Sequence, residues 1–129
     1  MTVPMMCVFA AFGLIYAAHV PGLVARAMDE GGFDNRNPRR QQAGLKGFGA
    51  RAIGGHANAH EAFAPFAAAV VVNHLAGGDL RIASILSVAF VVLRVAYHVA
   101  YLLDVDYLRT LVWFLGLACT IGLFVQPLL

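Results

Sequence analysis

Charge falls in only a few places along this chain, and the stretches between are long enough to be membrane spans. No charged side chain occurs from Met1 to Ala25 or from Ala62 to Gly78, only Arg94 interrupts Ile82 to Leu103, and Thr110 to Leu129 is again uncharged. A spanning helix takes about 20 mainly apolar residues. Four of them with short connections use nearly the whole chain, so the pattern predicts an all-α integral membrane four-helix bundle forming one domain over residues 1–129. The first stretch has no basic n-region and is followed by a basic loop, so it reads as a retained helix and not as a signal peptide.

Turn and breaker residues set the expected helix ends. The first span covers about residues 3–26, with Pro21 bending or finishing it. Residues 27–46 hold Gly31-Gly32, Asp34-Asn35, Asn37-Pro38 and Gly44, and read as a loop and not a further helix. The second span covers about 47–76 and ends at Gly77-Gly78; the third covers about 81–103. Asp104-Val105-Asp106 turns the chain into the fourth, about 107–126, which Pro127 stops. Short connections make consecutive helices antiparallel neighbours.

Composition agrees, with 60% hydrophobic and 12% charged residues against the quarter or so charged in soluble domains. The net charge of +2 is small and there is no aromatic-basic interleaving, so no nucleic-acid partner is expected. The basic residues Arg26, Arg36, Arg39, Arg40, Lys46 and Arg51 cluster in and around the first loop, whereas the second holds only Arg81, which predicts a cytoplasmic first loop and both termini on the opposite side. Cys7 and Cys119 form no CxxC pair and read as small buried hydrophobes.

The polar residues inside the spans carry the functional signal, because an ionisable group in a bilayer costs roughly 2.5–3.5 kcal/mol on insertion scales and usually faces a bundle interior, a cavity or a ligand. In the second span Arg51, Asn58 and Glu61 fall on one helical face, with Pro65 placed to leave the Glu61 carbonyl unpaired. In the third, Arg94, Tyr97, His98 and Tyr101 share a face. Arg94 lies too deep for comfortable snorkelling and is expected to pair with Glu61 or an anionic ligand. The plainer readings are interhelical hydrogen bonding for Asn58 and Glu61, and an interfacial aromatic belt for Tyr97 and Tyr101. Arg109, opening the fourth span, and Arg26, closing the first, are each either an interface anchor or a ligand contact.

His56 and His60 have metal-ligand spacing on a helix but point away from the Asn58 face, with no third ligand in view and no HExxH order, so no metal is expected. His19 and His74, toward span ends, read as interfacial or packed. Several cations, one acid and phenolic hydroxyls gathered in the cytoplasmic half suit a small ligand with carboxylates and one amine, and a cation beside a thiol favours the thiolate.

Arg51, Asn58-x-x-Glu61 and Pro65 in the second span, Arg94-x-x-Tyr97-x-x-x-Tyr101 in the third and Arg109 opening the fourth resemble the MAPEG family, the membrane-associated proteins of eicosanoid and glutathione metabolism. The similarity covers about Ala25 to Gly116 and includes Asp34-Asn-Arg-Asn-Pro38-Arg39, a loop similar to that of bacterial members. The resemblance implies a homotrimer in a bacterial inner membrane, glutathione as co-substrate between neighbouring subunits, and a lipid-side apolar electrophile that is conjugated or, as a hydroperoxide, reduced. By the same resemblance Asn58 and Glu61 bind the glutathione backbone and amino group, supported by Arg51 and Arg94; Arg26 is a further binding candidate from its position alone. Tyr97 and Tyr101 line the site, and Arg109, with Tyr97 beside it, carries the catalysis by stabilising the thiolate. Two positions depart from the family members that make leukotrienes and prostaglandins: Gly54 stands where they hold an arginine, and the Tyr101 to Arg109 spacing is one residue longer. A non-catalytic lipid-binding or scaffold protein of the same fold is the alternative. A four-helix proton-coupled drug exporter, suggested by Glu61 as a lone intramembrane acid, fits poorly because such exporters place their acid in the first helix.

Overall fold

The computed structural model describes residues 1–129. It contains α1 (Val3–Ala27), α2 (Pro38–Gly44), α3 (Gly47–Leu75), α4 (Leu80–Leu102) and α5 (Asp106–Val125), closed by a 3-10 turn at Gln126–Leu128. The protein is all-helical. α1, α4 and the segment Asp106–Leu128 are long and apolar enough to cross a membrane. α3 is the longest helix at 29 residues, but it carries Arg51, His56, Asn58, His60 and Glu61 and is not among those three. The four long helices α1, α3, α4 and α5 match the four-helix bundle expected, and α3 is the one of mixed polar and apolar character, packed among the other three.

Local chemistry explains the boundaries. The Asp79 carboxylate caps α4 by accepting from the Ile82 amide at 2.9 Å. Gly77, at φ 73°, takes the left-handed conformation that ends α3. Asp104 turns the chain between α4 and α5 at φ 61°, a conformation Asp tolerates better than most residues. Pro21 does not finish α1, which continues to Ala27. A proline removes one backbone hydrogen bond, and packing against neighbouring helices restores what is lost in a membrane bundle.

The first loop needs a correction, because residues 38–44 form the short helix α2. Pro38 occupies its first turn, where the missing N–H is no loss, and Arg39-Arg40-Gln41-Gln42-Ala43 are good helix formers. The breakers that marked a loop flank this helix without interrupting it. Ahead of it, the Asp34 carboxylate accepts from the Arg36 and Asn37 amides at 2.9 and 2.8 Å.

α1 packs chiefly along α3 and α4 along α5, with further α1–α4, α3–α4 and α3–α5 contacts joining the two pairs. Small residues line these contacts: Ala11, Ala52, Ala59, Ala69, Ala83 and Ala100 are buried. Large apolar side chains such as Phe9, Phe12, Val92, Leu111 and Phe114 point outward. That inversion is expected where helix association depends on close backbone approach and the surroundings are hydrocarbon. Only 24 of 129 residues are buried, too few for a water-soluble core of this length. The apolar core lies in the half remote from the first loop, where Cys7, Ala11, Ala69, Val70, Ala83 and Leu123 surround a Phe66–Phe90 stack with centroids 3.8 Å apart. The other half holds the polar residues.

Candidate functional site

The polar half is organised around Arg94 on α4, only 5% exposed. Its Nη2 donates to the Asn58 side-chain oxygen on α3 at 2.7 Å and, more weakly, to the Asn58 carbonyl at 3.4 Å. The Asn58 amide nitrogen in turn donates to Glu61 Oε2 at 3.1 Å. Of the two partners expected for Arg94, Glu61 or an anionic ligand, Glu61 does not pair with it directly, because Asn58 stands between the two charges and contacts both. Its amide has an acceptor end for the guanidinium and a donor end for the carboxylate, so it connects the pair without either charge closing on the other. Glu61 remains exposed and Arg94 keeps further N–H donors unused by any acid.

Aromatic rings continue the cluster along α4. The Arg94 guanidinium lies 4.3 Å from the Tyr97 ring centroid, Tyr97 meets Tyr101 edge to face at 5.6 Å, and Arg109 from α5 covers the Tyr101 ring at 4.5 Å. The sequence Arg94–Tyr97–Tyr101–Arg109 is thus a ladder in which each cation rests on a phenol ring. Arg109 makes no ion pair. The one ion pair in the protein is Arg51 with Asp104, at 3.6 Å, and Arg51 Nε also points to the Leu102 carbonyl at 3.4 Å. Arg51 therefore holds the α4–α5 turn against α3 and does not touch Asn58 or Glu61.

Arg26 is placed elsewhere too. It is 4% exposed, donates to Gln41 Oε1 at 3.0 Å and to the Asp34 carbonyl at 2.9 Å, and lies 4.0 Å over the Phe33 ring. Gln41 completes the knot by donating to the Arg26 and Gly32 carbonyls and to Asp29, while its oxygen also accepts from the Asp34 amide. Of the sequence-selected residues, Asn58, Glu61, Arg94, Tyr97, Tyr101 and Arg109 come together; Arg51 and Arg26 instead fasten turns at the same end.

Two features were not read from the sequence. A cleft of about 150 Å³ opens beside the Asn58–Glu61–Arg94 group, and its far wall is Trp113, Gly116, Leu117 and Thr120 of α5 with Pro65 and Phe90. Trp113 also borders a second hollow with Tyr97, Arg109 and Thr110. Its position one helical turn after Arg109 was the available signal. The second is the contact between Gly54 and Tyr101, two residues the sequence singled out separately: a Cβ at Gly54 would lie 2.5 Å from the Tyr101 hydroxyl and 3.1 Å from the ring carbon that bears it. The phenol occupies the space that a side chain at residue 54 would need.

The MAPEG family model matches residues 3–129. This chain belongs to the MAPEG family. No curated protein and no solved structure matches it. As a MAPEG protein with three apolar spans it is an integral membrane protein of the glutathione and eicosanoid metabolism type, with helices in contact with lipid. The family match covers every residue of the cleft, from Asn58 to Thr120.

Proposed function

We propose that this MAPEG protein is a glutathione-dependent transferase or peroxidase acting on an apolar or lipid electrophile. The observation that carries the reading is Arg94: a buried guanidinium, held by Asn58 and lacking an acid partner, facing a cleft that also presents the exposed Glu61 carboxylate. Glutathione has two carboxylates for the cation and one ammonium for Glu61, so its charges complement that cleft. Arg109 supplies the second free cation, at the hollow shared with Tyr97 and Trp113. A thiol placed there is favoured as thiolate, the reactive form.

In conjugation the thiolate forms a carbon–sulfur bond and the leaving group departs with its electron pair. With a hydroperoxide the sulfur is oxidised, the O–O bond breaks to give alcohol, and a second glutathione yields the disulfide and water. Exposed apolar side chains on α4 and α5 give a lipid-dissolved electrophile a route to the cleft. Glu61 and Trp113 are exposed on a single chain, which supports a further copy covering them, and we assign the assembly as a homotrimer on the family resemblance. The basic residues about the first loop support a cytoplasmic position for it with both termini opposite, and the family resemblance supports a bacterial inner membrane.

Gly54 favours a second reading, a lipid-binding or scaffold protein without catalysis, because Tyr101 fills the place of the carboxylate-binding arginine of some relatives. Turnover of 1-chloro-2,4-dinitrobenzene by detergent-purified protein separates the two. The transferase reading expects glutathione-dependent release of chloride that drops at least tenfold in Arg109→Ala; lipid affinity indifferent to glutathione, with no turnover, supports the second.

A further inference from the structure

Three histidines form a chain on the opposite side of α3 from Asn58. His56 Nε2 lies 3.2 Å from His60 Nε2, and His56 Nδ1 lies 3.3 Å from His19 Nδ1 on α1. The rings stand 4.8 and 4.4 Å apart by centroid. His60 is exposed, whereas His19 and His56 are half-buried. Residues 56 and 58 point about 160° apart around the helix, so this group is separate from the proposed glutathione cleft.

We propose that His56 and His60 chelate a divalent transition-metal ion, zinc by ligand type, through their two Nε2 atoms, with His19 fixing His56 from behind. The geometry supports this in two ways. Zinc–nitrogen bonds of 2.0–2.1 Å at the tetrahedral angle set neighbouring ligand nitrogens about 3.3 Å apart. The His56–His60 separation of 3.2 Å matches that edge without movement of the backbone.

The second support is the tautomer. A neutral imidazole carries one N–H, and a metal-bound histidine donates it to a second-shell acceptor, which orients the ring. When His56 Nδ1–H donates to His19 Nδ1, the His56 Nε2 lone pair is left free, 3.2 Å from His60 Nε2. Helical i, i+4 spacing alone gave two candidate ligands; His19 adds the partner that sets the protonation of His56. No group of three or more His, Cys, Asp or Glu side chains converges on a single point, so the chain supplies two ligands and two positions are left for ligands from outside it. The exposure of His60 leaves room for them. Imidazole ligands without thiolate suit zinc, copper, nickel or cobalt and not magnesium or calcium.

The test is a cobalt(II) titration of tag-free, detergent-purified full-length protein, followed by visible absorption and then by displacement with zinc. Saturable binding of about one ion per chain is expected, lost in His60→Ala, weakened about 10- to 100-fold in His19→Ala and unchanged in His74→Ala. Folding of each variant is checked by its helical circular dichroism. The proposal is overturned if wild type gives no cobalt spectrum at millimolar metal, or if the His56→Ala/His60→Ala double variant binds as wild type does. Equal affinity of wild type and His19→Ala would remove His19 from it. None of these readouts involves glutathione, so the outcome is independent of the function proposed above.

Discussion

Arg94 reaches across from α4 to α3 and donates to the side-chain oxygen of Asn58 at 2.7 Å, the shortest polar contact between the helices that carry the candidate site. The guanidinium is buried and has no acid against it, so Asn58 is its principal partner. Replacing Asn58 by alanine leaves a desolvated cation one hydrogen bond short, a loss of about 1–3 kcal/mol. Asn58→Ala is therefore expected to lower the thermal midpoint in detergent, while Glu61→Ala, which removes an exposed group, is expected to leave it nearly unchanged. Equal midpoints for wild type and Asn58→Ala would contradict the assignment of Asn58 as the residue that holds Arg94.

Gly54 and Tyr101 are coupled by shape. A methyl group at residue 54 meets the Tyr101 hydroxyl at 2.5 Å, closer than real carbon contacts come, so the ring must move. Overpacking of this kind costs about 1–3 kcal/mol. Gly54→Ala is expected to destabilise by that amount, and Tyr101→Phe in the same chain to recover part of the loss. Additive effects of the two substitutions, measured by chemical denaturation of all four variants, would show that the contact is not the cause.

Asp104 has two opposing roles in the α4–α5 turn. Its left-handed backbone costs a non-glycine residue roughly 1–2 kcal/mol, while a partly exposed pair with Arg51 at 3.6 Å returns about 0–1 kcal/mol. Asp104→Gly is expected to be neutral or slightly stabilising, and Asp104→Val clearly destabilising. Loss of stability in the glycine variant would mean that the pair with Arg51 outweighs the backbone strain.

The first loop is fastened by one amide. Gln41 makes five hydrogen bonds, to Arg26, Asp29, Gly32 and Asp34. Gln41→Ala is expected to raise the rate of tryptic cleavage at Arg36, Arg39 and Arg40 several-fold, with the helical content of the bundle unchanged. An unaltered digestion rate would show that α2 is held by other contacts.

The all-helical membrane architecture was legible in the sequence because it follows from long uncharged stretches and from glycines and prolines, which act locally. The grouping of Asn58 with Glu61, and of Arg94 with Tyr97 and Tyr101, was legible for a similar reason, since helical periodicity alone places each set on one face. What it could not settle was which partner a charge chooses across helices. Arg94 was expected on Glu61 or on an anionic ligand and is found on Asn58; Arg51 was grouped with that face and is found at Asp104; Arg26, read as an interface anchor or a ligand contact, is found holding its own loop. Each depends on side-chain reach and on the depth at which two helices cross. The helix at 38–44 was hidden by its flanking breakers, and Trp113 by its resemblance to any lipid-facing aromatic residue.

The most direct test of the proposed function is calorimetric titration of glutathione into detergent-purified wild type and Glu61→Ala. Glu61 is exposed, so its loss leaves the fold intact while removing the carboxylate assigned to the glutathione ammonium. Saturable binding to wild type, weakened at least tenfold in Glu61→Ala, is the predicted result. No heat of binding to wild type, or the same affinity in both proteins, would contradict it.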